Sequence, residues 1–118
     1  MKNLIITAAI IFAAPLAIAC DYPAPPKNLP DGSTAEIAEM KVGVKRIADY
    51  QNDMSTYLSC IEAEEVVAVL SLDEGDKDGK KQSKIMFDKK YNAAVQEQTA
   101  SVEIFNAEIR EFKDRPKD

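Results

Sequence analysis

The residues best placed to do covalent chemistry are Cys20 and Cys60, the only thiols in the chain. An even cysteine count in a short exported protein reads as a disulfide, which an oxidising compartment allows to form and persist. Cys20 has a rival use. It directly follows the small-residue end Ala17-Ile18-Ala19, and a cysteine just after an export cleavage site is where bacterial lipoproteins accept their acyl chains. Two features favour the disulfide. Lipidation prefers leucine three residues before the cysteine, where this chain has Ala17, and acylating Cys20 would strand Cys60 as an odd exported thiol. A Cys20–Cys60 bridge is the expectation, and a lipid-anchored envelope protein acylated at Cys20 is the alternative.

Other candidate chemistry is thinner. The chain has no histidine, which removes the commonest general base, metal ligand and activator of nucleophiles together. Glu62, Glu64 and Glu65 supply neighbouring carboxylates, but on a helix without a cleft such a run is a solvated face. Glu74, Asp76, Asp78 and Gly79 match positions 1, 3, 5 and 6 of a helix-loop-helix calcium site. The match then fails: position 12, which should give a bidentate carboxylate, is Ile85, and the intervening residues include lysines. No catalytic residue, metal site or cofactor is expected, and the protein reads as a non-enzyme.

The segments around these residues say where they operate. Lys2, an apolar run from Leu4 to Ile18 and the Ala17-Ile18-Ala19 end form the three parts of an export signal over residues 1–19. The run is shorter than the ~20 residues a membrane span needs. Cleavage would start the mature chain at Cys20, in the periplasm or outside the cell, with no membrane attachment unless Cys20 is lipidated. Without Lys2 the chain keeps 14 basic and 20 acidic side chains, a net charge of −6 against −5 for the whole sequence. An acidic protein without a clustered basic face repels phosphate, so nucleic acid is excluded as a partner.

Residues 20–32 hold Pro23, Pro25, Pro26 and Pro30 and end in Pro30-Asp31-Gly32. Proline fixes φ and pushes its predecessor towards extended geometry, so this is a polyproline-like arm ending in a turn. Ser33-Thr34-Ala35-Glu36 has the form of a capping box, which places helix 1 over about 33–72. Its apolar seam is Ile37, Met40, Val44, Ile47, Met54, Leu58, Ile61, Ala68 and Leu72, with polar gaps at Gln51 and Glu65. Residues 73–79, rich in acids and glycine, form the connection. Helix 2 covers about 80–114, with a seam of Tyr91, Val95, Gln98, Val102, Phe105, Ile109 and Phe112. The prediction is an all-α fold, an antiparallel coiled-coil-like hairpin of residues 33–115 with an extended arm.

A turn near residue 76 makes facing residue numbers sum to about 152. That sets Ile47 against Phe105, Met40 against Phe112, Ile61 against Tyr91, Val44 near Ile109, Leu58 near Val95, and Glu62 near Lys90 for an interhelical ion pair. Gly43, Tyr50 and Tyr57 form a second stripe flanking the seam, one turn short of Cys60. That stripe reads either as a contact surface or as the groove in which the arm lies. Off-seam apolar residues, including Val42, Val66, Val67, Val69, Met86 and Phe87, are left to a partner or a second hairpin. The expected interaction surface is Tyr50, Tyr57, Val66, Val69 and Phe87, serving an unknown protein partner or a homo-oligomer.

Three short motifs, Cys20 to Pro23 (Cys-x-Tyr-Pro), Tyr57 to Cys60 (Tyr-Leu-x-Cys) and Phe105 to Phe112, resemble those of small exported proteobacterial proteins with no assigned activity. The resemblance implies export and paired cysteines, and implies nothing about biochemical role.

Overall fold

The computed structural model describes residues 19–117, so the export signal expected over residues 1–19 lies, except for Ala19, outside the described residues. Two helices make up the fold: α1 (Ile37–Leu70) and α2 (Lys77–Asp114). They pack side by side as an antiparallel hairpin, and no helix among the described residues is long and apolar enough to cross a membrane. At 1.5 Å per residue α1 is ~51 Å long and α2 ~57 Å.

Both helices start where their caps dictate, and neither start matches the sequence expectation. Ser33 does not cap α1, because its amide and its hydroxyl both donate to the Asp31 carboxylate, the amide at 2.8 Å. This holds the Asp31 carboxyl below its ordinary range and spends Ser33 on a turn. The capping box moves three residues on, where the Glu36 amide donates to Glu39 Oε2 at 2.7 Å. Helix α2 begins three residues early because the Asp76 carboxylate accepts from the Gly79 amide at 2.8 Å. Asp76, which falls at position 3 of the failed calcium-loop match, thus serves as a helix cap. The connection is Ser71 to Asp76.

Ile47 and Phe105 share one core cluster with Met40, Ala35 and half-buried Phe112, and Ile61, Met54 and Ala94 share another with Tyr91. The expected partners share clusters, but the register is shifted by about one helical turn, to facing numbers that sum to about 148: Gly43 lies under the Phe105 ring, Glu65 bonds Ser83, and Met54 and Ala94 are fully buried together. The connection is centred between residues 73 and 74 rather than near 76, because Asp76 starts α2 early. The flanks differ. Helix α1 buries Met40, Gly43, Ile47, Tyr50, Met54, Tyr57 and Ile61 in strict steps of three and four, so Gly43, Tyr50 and Tyr57 fill the places expected for Val44, Gln51 and Leu58. Val44 is 52% exposed, and Val95 is 37% exposed where Ala94 is fully buried. The reason is a third layer: the arm covers the flank carrying Gly43 and the tyrosines and leaves the opposite flank open.

Among the described residues the salt bridges are Lys45–Asp49 and Lys84–Asp88, both within one helix. The expected Glu62–Lys90 pair is not formed. A hydrogen bond ties the helices near the turn instead, from the Ser83 hydroxyl to Glu65 Oε2 at 2.8 Å.

Gly43 stands in the interior of a long helix, where glycine costs ~0.5–1 kcal/mol relative to alanine. Space explains it: a Cβ there would lie 2.6 Å from the Phe105 ring and 2.9 Å from Pro30 Cδ. We expect Gly43→Ala to lower stability by ~1–3 kcal/mol despite its better helix propensity. Phe105→Ala should cost ~3–5 kcal/mol. Gly75→Ala, where nothing lies within 4 Å of the added carbon, should change stability by less than ~0.5 kcal/mol. Urea unfolding of the three variants checks the ranking, and equal midpoints would refute this packing.

Candidate functional site: the clamped arm and the open face

The arm is built to lie flat against both helices. It runs antiparallel to α1, from Cys20 beside Cys60, through Tyr22 against Tyr57 and Lys27 and Asn28 against Arg46, to Pro30 beside Gly43. It runs parallel to α2, from Tyr22 at Glu97 to Gly32 at Glu108 and Ser33 at Arg115. Covering Gly43 to Cys60 takes ~26 Å of helix, and the ten steps from Cys20 to Pro30 reach ~31 Å as polyproline. The late start of α1 supplies the slack.

Five anchors hold it. Cys20 and Cys60 form a disulfide with Cα atoms 5.7 Å apart, 40 residues separated in sequence. The Tyr22 ring meets the Tyr57 ring edge to face at 4.9 Å, and its hydroxyl donates to Glu97 Oε2. The Arg46 guanidinium forks onto two arm carbonyls, Asn28 at 3.0 Å and Lys27 at 2.5 Å, where Asn28 adopts a left-handed φ of 56° that turns the chain. Gly32 donates its amide to Glu108 Oε2 at 2.7 Å and lies so close to the α2 backbone that a Cβ would collide with the Glu108 carbonyl. Arg115 closes the far end, stacked 4.5 Å over Phe112 and donating to the Ser33 carbonyl at 3.3 Å.

The bridge has a chemical consequence at one atom. Cys20 Sγ is in the disulfide, and both cysteines are so bonded, so in this form that sulfur has no valence for a thioether-linked lipid. An oxidising compartment is compatible with such a bond.

The tyrosines expected at a contact surface are spent inside the fold. Tyr50 is 4% and Tyr57 8% exposed, because the arm and α2 close over them. The Tyr50 hydroxyl is buried without a hydrogen-bond partner among the described residues; burial pushes its pKa up, outweighing the opposing pull of Ser101, and Glu97 adds to the rise. The other expected contact residues divide: Val66 is exposed, while Val69 and Phe87 are half-buried. Phe87 lines a groove of about 190 Å³ with Ile61, Glu64, Ala68, Ser83 and Met86, past the arm's disulfide end. The arm's polar anchors, Arg46, Glu97 and Glu108, carried no signal in the sequence, because ordinary exposed helix positions look the same.

On the side away from the arm lies a second feature. Ile37, Val44, Gln51 and Leu58 recur every seven residues on α1, as Val95, Val102 and Ile109 do on α2. Each α1 residue follows Gly43, Tyr50 or Tyr57 or falls one heptad earlier, so the helix turns it ~100° from the arm side. The α2 residues occupy the corresponding flank, away from Glu97 and Glu108. Ile37, Val44 and Val95 are exposed, and Leu58, Val102 and Ile109 are half-buried. No protein-family model matches the chain, and neither the curated proteins nor the solved structures give a significant match.

Two outcomes test the clamp. Closing a 40-residue loop contributes ~4 kcal/mol by the chain-entropy model, so Cys20→Ser with Cys60→Ser should lower stability by about that much and speed hydrogen exchange at Tyr50 and Tyr57. Burial and the Glu97 carboxylate push the Tyr22 phenol above its ordinary 10.0. A raised pKa in the folded state means this contribution is fully present below pH 10 and is lost as pH rises through the folded value. Tyr22→Phe should shrink the alkaline loss, leaving the smaller part that Tyr50 contributes, and cost ~1 kcal/mol at neutral pH. Unfolding of both proteins at about pH 8 and pH 11 checks the sign.

Proposed function

We propose that this is a non-enzymatic exported protein, periplasmic or secreted, that works by binding another protein chain through the apolar face of its hairpin opposite the arm. The observation that carries the reading is the asymmetry of the two flanks. One is sealed by the arm and a disulfide. The other leaves Ile37, Val44 and Val95 exposed in rows of heptad period. Apolar rows at that period pack helices against helices, and a folded chain that leaves them in water has surface for a partner.

Further features agree. The chain has no histidine, and in the acidic cluster of Asp31, Glu108 and Glu111 two of the three carboxylates do structural work: Asp31 receives Ser33 and Glu108 receives Gly32. In this reading the arm is part of the scaffold, and the disulfide fits the oxidising space to which residues 1–19 would send the chain.

Site-specific photo-crosslinking in living cells tests the reading. A photoreactive residue at position 44 or 95 should give protein adducts, while one at position 42 or 104, also exposed but off the heptad rows, should give few or none. Equal yields at all four positions, or none at any, would overturn it.

A further inference from the structure

We propose that the partner on the open face is a second copy of this chain, and that two hairpins pack side by side, tips level, into an antiparallel four-helix bundle with both arms on the outside. The inference rests on the reading above and adds the identity and placement of the occupant.

Shape is the first argument. The open rows run from Ile37 to the exposed Val66 and half-buried Val69 near the end of α1, ~48 Å at 1.5 Å per residue and two helix diameters, ~20 Å, across. Burying most of that strip reaches the ~800 Å² per partner of a standard interface. The occupant must present apolar side chains at the same period over the same length, and this hairpin does so itself. Self-pairing also completes the architecture. Met40, Ile47, Met54 and Ile61 are already covered by α2 and the arm, and the rows at Val44, Leu58, Val95, Val102 and Ile109 would become the inner layer of a four-helix core.

Charge selects the arrangement. Residues 60–70 of α1 carry three glutamates and no basic residue, whereas residues 77–90 of α2 carry six lysines and two aspartates, net −3 against +4. Within one chain these segments make no salt bridge with each other. A two-fold axis parallel to the hairpins sets α1 of each copy against α2 of the other, antiparallel and tips level. It therefore brings the acidic segment beside the basic one twice. An axis across the hairpins would set α1 against α1 and α2 against α2. A foreign partner of single charge sign would be repelled by one of the two segments; a second copy matches both.

The test uses the exported chain purified in its oxidised form. Sedimentation equilibrium over about 1–100 µM should show a dimer. The double variant Val44→Lys/Val95→Lys should sediment as a monomer with unchanged helical circular dichroism, while Val42→Lys/Ile104→Lys should stay dimeric. Zero-length carbodiimide crosslinking of a mixture of ¹⁴N- and ¹⁵N-labelled wild-type chains should give mixed-isotope links joining Glu62 to Lys81 or Lys84. That measurement decides the matter even if the lysine variants unfold. A wild-type monomer at about 100 µM, links confined to single chains, or mixed-isotope links joining α1 to α1 would overturn the proposal. A monomer that still gives adducts to a different protein from positions 44 and 95 in cells would refute this inference and leave the proposed function standing; a monomer silent at those positions would refute both.

Discussion

The structure depends on the arm lying in the groove between α1 and α2. Two helices packed against each other enclose no interior: each pair of facing residues is covered on two sides and open on two. Among the described residues nine apolar ones are buried: six belong to α1, two to α2 and one, Ala35, to the turn between arm and helix. That distribution is what a third layer produces when it lies over one flank of the first helix. Tyr50 and Tyr57 are core residues because the arm closes over them, with Tyr22 against the Tyr57 ring and Cys20 packed on their cluster. A mature domain of this size has little apolar surface to bury, and the 40-residue covalent loop offsets part of that shortage by restricting the unfolded chain.

The contacts along the arm divide their work. The disulfide fixes one end, the Gly32 amide and Arg115 fix the other, and Arg46 holds the middle through backbone carbonyls that an extended, proline-rich segment cannot satisfy within itself. Glycine appears where the layers come closest, at Gly43 under Phe105 and Pro30 and at Gly32 against the α2 backbone. Both are positions where a side chain has no room, and neither has the positive φ for which glycine is often required.

Much of this was legible in the sequence. The hairpin, the core residues Ile47, Ile61 and Phe105, the arm and the Cys20–Cys60 bridge follow from apolar period, proline chemistry and cysteine count; the register slipped by about one turn with the misplaced start of α2. The flank that would be buried did not follow. Val44, Gln51 and Leu58 compete with Gly43, Tyr50 and Tyr57 for the same groove, and periodicity scores both rows alike; only the position of the arm decides. The helix starts were misplaced for a related reason. Ser33 is a good cap by type, but Asp31 is close enough to take its hydroxyl, so α1 starts later, and Asp76 caps α2 from within what reads as the connection. The anchors Arg46, Glu97 and Glu108 are ordinary helix-surface residues until the arm is laid over them. The seam residues left exposed, Val44 and Val95, are those that the proposed function uses.

The central claim is that Cys20 and Cys60 of one chain are joined and hold the arm along α1. Peptide mapping of the exported protein under non-reducing conditions tests it most directly. The account predicts a single crosslinked peptide pair containing Cys20 and Cys60, recovered from material of one-chain mass under denaturing conditions. Acylated Cys20, two free thiols, or Cys60 bonded to a second chain would contradict it.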